Sequence, residues 1–311
     1  MKKPDFQVLL FYKYVKVSDP EKLKADQKQL MEKLNLKGRI IVASEGINGT
    51  LEGLTPDTEK YIRELKLNPL FEDIIFKKSA GDGKSFPKLS VKVRPEIVAA
   101  RLPDLDPNTT TGKYLTADEL YQWYKSGKEF YTVDMRNDYE YDSGYFENSI
   151  FSGLHNFYDL PAVLPKLEKL KDKTIVTVCT GGVRCEKASG FLVLNGFKDV
   201  YQLKDGIQTY MEKYPNTFFK GKLYVFDGRL TVGFNTHDKN HQIVGKCYHC
   251  ASPADTYTNC EYDICHYHYI CCENCKDKET GLTFCKKECK ANYLKFQLPK
   301  EQSKQKLSLN A

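Results

Sequence analysis

Two of the eleven cysteines in this 311-residue chain lie apart from the other nine, at positions where a thiol could react. Cys179 follows a β-branched apolar segment that is typical of a buried strand, and Cys185 precedes a helix predicted to begin at Glu186. The loop between the two cysteines consists of Thr180, Gly181, Gly182, Val183 and Arg184. In open α/β sheets reactive groups lie at the carboxyl ends of strands, and glycines let such a loop turn its N–H groups inward. These N–H groups and the arginine favour the thiolate, so the sequence predicts a reactive Cys179.

Each loop cysteine also has a plainer interpretation. A single cysteine at a strand end is often a small buried hydrophobic residue, although the two glycines and the arginine favour chemistry at Cys179. Cys185 could form a disulfide that resolves an oxidised or persulfidated Cys179. Alternatively, it is a small residue that packs beneath the first helical turn. Substitution of Cys185 separates the two hypotheses, because only the first requires its sulfur for turnover.

The other nine cysteines are concentrated in one segment and have the spacing of metal ligands. Eight of them form four pairs: Cys247 with Cys250, Cys260 with Cys265, Cys272 with Cys275, and Cys285 with Cys289. Pairs at such spacing can direct both sulfurs to one tetrahedral ion, so the sequence predicts up to two zinc sites. An interleaved scheme joins the first pair to the third and the second to the fourth, and it leaves Cys271 unused. Consecutive pairing, or replacement of a cysteine by His249, His266 or His268, remains open.

An iron–sulfur cluster is the alternative occupant of the cysteine-rich segment, since closely spaced cysteines bind both kinds of metal centre. Zinc is favoured as a structural clamp, because the segment has few aliphatic residues and needs metal to supply its folding energy. The chain has a net charge of +6. Two zinc ions held by eight thiolates would reduce that charge to about +2. Global charge is therefore weak support for nucleic-acid binding.

The patterns outside these sites predict an α/β chain of several domains. Strand and helix signals in residues 1–95 follow the order βαββαβ, which indicates a ferredoxin-like (acylphosphatase-like) α+β sandwich. Asn48 and Gly49 are expected to form a turn in this domain, and turn chemistry is favoured over a functional role for Glu45 and Asn48. Residues 96–113 contain several prolines and threonines and are predicted to be a linker.

Residues 114–215 alternate strands and helices, which predicts a doubly wound α/β domain with a parallel sheet. Residues 216–298 combine connecting strands with the cysteine-rich metal-binding segment, and the polar residues 299–311 are predicted to be a disordered tail. No apolar run approaches the roughly 20 residues of a membrane helix, and no secretory signal is evident. A cytoplasmic protein without a membrane partner is therefore expected. The sequence does not fix its oligomeric state.

The Cys179 loop resembles the active loop of rhodanese domains, in which the first cysteine carries a persulfide. Asp134 and Arg136 resemble the Asp-x-Arg strand end of that family, and the stretch that follows Glu140 resembles its Glu…Gly-His-Ile-Pro-Gly-Ala segment with several departures. The turn at Asp205 is similar to the closing Gly-Gly turn, with aspartate in place of one glycine. This resemblance covers the central domain. Asp134 and Arg136 are expected to form an ion pair or to support the loop, rather than to transfer protons.

Three further features narrow the resemblance to the rhodanese-domain tRNA uridine hydroxylases: the segment ASEGINGT at 43–50, the loop extension CEKAS at 185–189, and the cysteine cluster. That family forms 5-hydroxyuridine at the wobble position of certain tRNAs in an oxygen-dependent reaction. The resemblance implies that Cys179 is essential, that the partner is the anticodon region of tRNA, and that oxygen is a co-substrate. It leaves the redox cofactor unknown, because the sequence shows no iron-binding triad, flavin motif or Gly-rich dinucleotide loop.

Two other functions are compatible with the residues. Sulfur transfer from a Cys179 persulfide to cyanide or a thiol requires only the loop. A non-catalytic RNA-binding or scaffold module, built on the first and third domains, would not require an intact Cys179 and Arg184. Thiosulfate sulfurtransferase activity, compared with tRNA binding at several salt concentrations, discriminates among these functions.

Overall fold

A computed structural model describes residues 5–295 of the chain. It contains two five-stranded sheets and three two-stranded ladders. The tail predicted at 299–311 lies outside the described residues. Within residues 5–295, no helix is both long enough and apolar enough to cross a membrane.

The N-terminal domain is a five-stranded sheet with two helices packed against it. Its elements are β1 (Phe6–Tyr14), α1 (Pro20–Lys33), β2 (Lys37–Ala43), β3 (Gly46–Leu54), α2 (Thr55–Lys66), a 3₁₀ helix (Pro69–Phe71), β4 (Phe76–Gly81) and β5 (Leu89–Val93). The strand order is β4-β1-β3-β2-β5, and the ladders are antiparallel except for the one between β2 and β5. The first four strands and the two helices confirm the predicted ferredoxin-like arrangement. β5 adds a parallel strand at the β2 edge.

Side chains alternate along β1, so the two faces of this sheet carry different residues and have different surroundings. Leu9 and Phe11 are fully buried in the core that also contains Tyr61 of α2. Leu10 and Tyr12 face the opposite side, toward the central domain, because successive side chains on a strand alternate. The face of the sheet that the helices leave uncovered is therefore available to help build a site.

The turn predicted at Asn48 and Gly49 is wrong. Both residues lie within β3, and the tight turn between β2 and β3 is formed by Ser44 and Glu45. Gly49 lies opposite Phe11 in the ladder between β1 and β3, and a Cβ added there would lie 2.5 Å from the Cζ atom of that ring. The glycine therefore makes room for an aromatic ring inside a sheet.

The central domain is built around a parallel sheet. Its elements are β6 (Lys113–Leu115), α3 (Ala117–Ser126), β7 (Tyr131–Asp134), α4 (Asp138–Tyr141), β8 (Gly144–Phe146), β9 (Ile150–Phe151), a 3₁₀ helix (Phe157–Val163), α5 (Leu164–Leu167), a second 3₁₀ helix (Glu168–Leu170), β10 (Thr174–Val178), α6 (Val183–Leu194), β11 (Asp199–Leu203) and α7 (Gly206–Lys213). The strand order in the sheet is β6-β11-β10-β7-β9, and every ladder in it is parallel.

Successive residues of β10 contribute to two hydrophobic cores on opposite faces of this sheet. Ile175 belongs to the same core as Ala188 and Leu192 of α6. Val176 belongs to the other core, with Ile207 of α7. A strand that is covered on both faces is expected to be continuously apolar. The arrangement confirms the predicted doubly wound α/β domain.

Helix α6 begins at Val183, three residues before the start predicted at Glu186. Gly182 ends the preceding loop with a φ of +100°, which lies in the left-handed region that favours glycine. Arg184 and Cys185 therefore lie in the first helical turn. The prediction was wrong because no side chain caps this helix, and a capping residue is the usual sequence signal for a helix start.

The last part of the chain is attached to the central domain by strand pairing. Its elements are β12 (Phe219–Gly221), β13 (Leu223–Tyr224), β14 (Thr231–Val232), β15 (Tyr257–Asn259), β16 (His268–Ile270), a 3₁₀ helix (Glu273–Cys275) and a helix over 287–295. β12 pairs antiparallel with β8. The connection at 96–113, which the sequence predicts to be a linker, is also packed, since Ile97 and Ala100 are fully buried.

Candidate active site and metal centres

Cys179 lies between the carboxyl end of β10 and the start of α6, and its side chain is fully buried. The N–H of Gly182 donates a hydrogen bond to its Sγ over 3.2 Å. Burial opposes ionisation of this thiol, but hydrogen bonds from Cys185 and the charge of Arg184 outweigh burial and lower the pKa of Cys179 to about 6. The thiolate, which is the nucleophilic form, is therefore the main form at neutral pH.

Cys185 supports this thiolate and ionises far less readily. Burial, the hydrogen bond to Cys179 and the negative charge there raise the pKa of Cys185 well above its ordinary value. The pair thus carries one negative charge on Cys179 and a neutral donor at Cys185. Both predicted roles of Cys185, as a resolving thiol and as a buried packing residue, are compatible with this contact.

A buried ion pair fixes the arginine of the loop. Nη1 and Nη2 of Arg184 donate to the two carboxylate oxygens of Glu140 over 2.5 and 2.7 Å, which is a bidentate arrangement. The hydroxyl of Thr180 donates to the same carboxylate over 3.0 Å. Burial opposes ionisation of Glu140, yet Arg184 and Arg136 keep the pKa of its carboxyl below the ordinary value. The charge of Arg184 is therefore held in place beside the Cys179 loop.

Asp134 and Arg136 form a second ion pair, which is fully buried at the end of β7. Nη2 of Arg136 lies 2.7 Å from Oδ2 of Asp134. The same guanidinium donates to the backbone oxygens of Glu140 over 3.2 Å and Gly144 over 2.6 Å. The pair thus supports the segment that carries Glu140, which agrees with the structural role predicted for these two residues.

Strand β1 of the first domain closes over the Cys179 loop. A Cβ added at Gly181 would lie 2.8 Å from Cδ2 of Leu10. A Cβ added at Gly182 would lie 2.8 Å from the hydroxyl oxygen of Tyr12. The two glycines therefore shape the loop and also allow the first domain to approach it.

Tyr12 also contacts a buried carboxylate in α6. Its hydroxyl donates to Glu186 over 3.0 Å, and the same carboxylate accepts hydrogen bonds from the hydroxyl of Tyr114 and the amide of Gln202. Burial and the neighbouring Glu186 raise the pKa of Tyr12 well above its ordinary value, so the phenol remains a donor. Glu186 therefore joins the first domain to the helix that follows the reactive loop.

Two buried lysines add charge to the contact between the first and central domains. Nζ of Lys77, on β4, lies 3.3 Å from Asp205, and burial lowers the pKa of this lysine despite the aspartate. Nζ of Lys187, on α6, lies 2.9 Å from Glu45 and 2.8 Å from Glu96. The contact between the two domains is thus rich in charged groups.

Glu45 and Asn48, for which turn chemistry is favoured in the sequence, both contact the connection that follows the first domain. The carboxylate of Glu45 accepts a hydrogen bond from the N–H of Ile97 over 2.7 Å. The side-chain amide of Asn48 donates to the backbone oxygen of Ile97 over 3.0 Å. Glu45 does lie in a turn, whereas Asn48 lies in a strand and faces a cavity.

This cavity has a volume of about 330 Å³ and lies between all three parts of the chain. Its lining includes Leu10, Tyr12, Arg39 and Asn48 from the first domain, Asn137, Tyr158, Thr180, Gly181, Val183 and Arg184 from the central domain, and Phe226 and Arg229 from the last part. Cys179 is not among the lining residues, so its neighbours in the loop form the wall. The volume is at the lower end of the range of about 300–1,000 Å³ that is typical of small-molecule sites.

The eight paired cysteines converge into two groups of four. Cys247, Cys250, Cys272 and Cys275 form one group, and Cys260, Cys265, Cys285 and Cys289 form the other, with the sulfur atoms of each group within 4.8 Å of one another. Three of these separations are 3.5, 3.6 and 3.7 Å. Sulfurs around a tetrahedral zinc ion lie about 3.8 Å apart, and a disulfide is far shorter. The donor sets fit one zinc ion per group, in the interleaved scheme considered from the sequence.

Histidine takes no part in either group within residues 5–295. The two ring nitrogens of His268 lie 2.7 Å from Oδ1 of Asn259 and 3.2 Å from the hydroxyl of Tyr224. Cys271 also lies outside both groups, and its thiol donates to the backbone oxygen of Cys272. The arrangement thus favours the all-cysteine interleaved scheme over the histidine alternatives, and Cys271 is the cysteine left over.

Three family models match successive parts of the chain. The UPF0176 acylphosphatase-like domain matches residues 6–97, the rhodanese-like domain matches 116–213, and the rhodanase C-terminal model matches 220–290. The fold and the loop thus define a rhodanese-domain protein that carries an acylphosphatase-like domain before the rhodanese domain.

Relatives that are similar over nearly the whole chain identify one family within the class of rhodanese-domain proteins. The tRNA uridine(34) hydroxylase of Bacillus licheniformis is 43% identical over 294 residues, which covers 93% of this chain and 90% of that protein. Its counterpart in Staphylococcus carnosus is 42% identical over 290 residues, covering 92% and 90%, and that of Cytophaga hutchinsonii is 40% identical over 288 residues, covering 93% and 91%. The chain belongs to the tRNA uridine(34) hydroxylase family. A crystal structure of a rhodanese-related protein from Thermoplasma volcanium is 25% identical, covers 33% of this chain and 93% of that one, and has a TM-score of 0.28.

The sequence patterns did not identify several residues that contact the Cys179 loop, because these residues come from distant parts of the chain. Tyr12 and Lys77 belong to the first domain, far from the loop in sequence. The only available signal was alternation in β1, which places Tyr12 on the face opposite the core.

Proposed function

We propose that this protein hydroxylates the wobble uridine of tRNA, at position 34, to 5-hydroxyuridine with oxygen as co-substrate. The observation that carries the proposal is a cavity of about 330 Å³ built against a loop whose cysteine is a thiolate at neutral pH. Relationship over 93% of the chain to tRNA uridine(34) hydroxylases supports both the reaction and the anticodon region as the partner. A tRNA substrate also fits a cytoplasmic location.

Cys179 is the proposed reactive residue. Gly182, Cys185 and Arg184 keep negative charge on its sulfur, and Glu140 keeps Arg184 in place. Because the surroundings already favour the thiolate, no separate base has to remove a proton before the sulfur can act. Thr180, Gly181 and Val183 complete the loop and line the cavity.

The overall reaction replaces the C5–H bond of uracil with C5–OH. One atom of O₂ enters the product. The other atom leaves as water after it has received two electrons and two protons from a reductant. A small thiol serves as this reductant in the test below.

We also propose that each cysteine group holds one zinc ion with a structural role. Structural zinc sites are closed by four protein ligands, whereas catalytic sites keep one position open for water or substrate. Each group here provides four sulfurs, and both groups lie in the last part of the chain. Metal analysis that gives two zinc ions per chain, with no visible absorption, agrees with this role. Iron, sulfide and visible absorption bands would replace it with an iron–sulfur cluster.

Mass spectrometry of nucleosides tests the proposed reaction. After incubation in air with a thiol reductant and metal-replete protein, tRNA should contain 5-hydroxyuridine, and exclusion of oxygen should prevent its formation. Cys179→Ser should lower product formation by about 100-fold or more. If the wild type forms no new nucleoside but shows thiosulfate sulfurtransferase activity that depends on Cys179, sulfur transfer replaces hydroxylation as the function.

A matched pair of variants assigns the role of Cys185. Serine keeps a hydroxyl that can donate to the Cys179 thiolate, but it cannot form a disulfide. Turnover by Cys185→Ser close to the wild-type rate, with slower turnover by Cys185→Ala, would identify a hydrogen-bond donor. Loss of turnover in both variants would identify a resolving thiol.

A further inference from the structure

One edge of the first domain carries exposed basic side chains on the face of the sheet that the helices leave uncovered. Lys37 and Arg39 of β2 are exposed and alternate with buried residues that pack toward the helices. β5 pairs in parallel with β2, and the register places Lys92 beside Ile41 on the same uncovered face. Arg94 follows β5 directly and is exposed as well. We call Lys37, Arg39, Lys92 and Arg94 the basic stripe.

No acidic side chain neutralises the basic stripe within residues 5–295. The side chains of Lys37 and Lys92 make no hydrogen bond or ion pair there. Arg39 donates only to the backbone oxygen of Phe226, and Arg94 donates only to the backbone oxygen of the residue before it. Helix α1 on the other face differs, because three of its lysines pair with carboxylates of the same helix. Unneutralised charges of one sign create a surface potential that attracts an anionic partner.

The basic stripe is continuous with the cavity beside the Cys179 loop. Arg39 lines this cavity. Arg94 lines an adjacent groove with a volume of about 850 Å³, and Ile41 and Ala99 line both the cavity and the groove. Every second residue of a strand lies about 6.6 Å further along, which is similar to the separation of successive phosphates in an RNA strand. A strand of RNA that has one base in the cavity can therefore place its neighbouring phosphates along the basic stripe.

The adjacent groove is lined by a further exposed arginine, which the fold holds in an uncommon conformation. Arg101 has a φ of +55°, in the left-handed region that side chains other than glycine rarely adopt. The carboxylate of Glu96 accepts hydrogen bonds from the N–H groups of Ala100 and Arg101 over 3.1 and 3.0 Å. Nζ of Lys187 donates to the other oxygen of Glu96 over 2.8 Å. The guanidinium of Arg101 lies 4.0 Å from the ring centre of Tyr158, which lines the cavity, so this arginine is positioned where the cavity and the groove meet.

We propose that the basic stripe and Arg101 bind the phosphate backbone of the anticodon stem–loop beside the uridine that enters the cavity. The inference rests on the proposed function and names the surface that holds the RNA. Guanidinium and ammonium groups bind phosphate through charge-assisted hydrogen bonds. RNA fits better than an acidic protein, because the stripe leads directly to the cavity at the reactive loop. Phosphate contacts position a nucleic acid without reading its sequence, so the choice of base remains with the cavity.

The salt dependence of RNA binding tests this assignment. The Kd of a labelled anticodon stem–loop RNA is measured by fluorescence anisotropy at several salt concentrations, for the wild type and for the triple variant Lys37→Gln, Lys92→Gln, Arg94→Gln. Each phosphate contact contributes about 0.7–0.9 to the slope of log Kd against log salt concentration, so the variant should lower this slope by about 2 to 3. Its binding at about 0.1 M salt should be weaker on the order of 100-fold, and the difference should shrink toward about 1 M salt.

The triple variant Lys33→Gln, Lys60→Gln, Lys66→Gln is the matched control. These lysines are exposed on α1 and α2, on the other face of the sheet, and none of them forms an ion pair within residues 5–295. The control removes the same three charges, but it should change the slope by less than about 1 and the affinity by less than about threefold. Equal slopes for the stripe variant and the wild type would overturn the inference. Equal losses in the two variants would overturn it as well, because net charge alone would then govern binding.

Product formation on the same RNA separates this inference from the proposed reaction. The stripe variant should raise the KM for RNA and keep the rate at saturating RNA within about threefold of the wild type, since contacts to the backbone do not change during the reaction. A wild type that forms 5-hydroxyuridine, with an unchanged salt slope in the stripe variant, would reject the basic stripe alone. A wild type that binds RNA through the stripe but forms no 5-hydroxyuridine would reject the reaction and retain the RNA-binding surface.

Discussion

The Cys179 loop and the cysteine-rich segment use the same side chain in opposite ways. At the loop, one thiolate is stabilised by an N–H group, a neighbouring thiol and the charge of Arg184. In the segment, four sulfurs lie within 4.8 Å of one another in each group, an arrangement that could hold a metal ion. A thiolate that no metal ion shares keeps its nucleophilicity. Thiolates that share an ion instead hold the fold together.

Metal removal should have the largest effect, and it should be confined to the cysteine-rich segment. Structural zinc ions provide about 10–16 kcal/mol of apparent folding free energy in small zinc domains. We expect a chelator to unfold residues 247–289 while β10 and α6 remain folded. Hydrogen exchange measured by mass spectrometry should show rapid exchange in 247–289 and continued protection of 174–194. Equal loss of protection in both regions would show that the loop also depends on metal.

Removing the carboxylate behind the loop should be the next largest effect. Glu140→Ala leaves the buried guanidinium of Arg184 without its partner, which should lower the free energy of unfolding by about 3–5 kcal/mol. Metal content should not change. Glu168→Ala is the control, because this exposed carboxylate pairs with Lys171 at the surface and should contribute less than about 1 kcal/mol. Denaturant unfolding of both variants measures the difference, and similar values would contradict a special role for Glu140.

Acidification should remove the stabilisation that ionised Cys179 provides. The pKa of Cys179 is lowered to about 6 in the folded protein. An unperturbed thiol has a pKa of about 8.5, so the stabilisation is complete above that pH and is lost as the pH falls through 6. In this window, the unfolding free energy of the wild type relative to Cys179→Ser should decrease by about 1.4 kcal/mol per pH unit. A difference that does not vary with pH would show that the thiol is neutral.

The smallest effect is expected at the cysteine outside both groups. Cys271→Ala should retain two metal ions and lose about 1 kcal/mol of stability, since only a buried thiol is removed. Cys272→Ala, one residue further on, should retain one ion. Metal analysis of the two purified variants checks the expectation. Loss of an ion from Cys271→Ala would mean that this cysteine replaces one of the eight.

How well the sequence predicted each region depends on how local its signal is. The loop from Cys179 to Cys185 is continuous, so a strand, two glycines and an arginine could be recognised together. The cysteine pairs are equally local, and their convergence into two groups followed the interleaved scheme. The helix start at Val183 was missed because it lacks a capping side chain.

Features that depend on contacts between domains could not be predicted. Tyr12 and Lys77 approach the central domain only because the first domain docks on it, and no local pattern encodes this docking. The predicted turn at Asn48 and Gly49 was wrong for a related reason. The ring of Phe11 on the neighbouring strand requires a glycine at this place, so packing outweighed the turn preference of the dipeptide.

Because β1 lies over the Cys179 loop, access to the sulfur depends on how often the two domains separate. Leu10 and Tyr12 cover the two loop glycines, and Cys179 is fully buried. A reagent can therefore reach the sulfur only when the loop or the first domain moves. Domain contacts rich in charged groups resemble transient interfaces, for which relative motion is the default expectation. The rate of reaction at Cys179 is then expected to be the product of an opening equilibrium and the reactivity of the thiolate. The low pKa sets that reactivity, and the opening of the domain contact sets how often the sulfur is exposed.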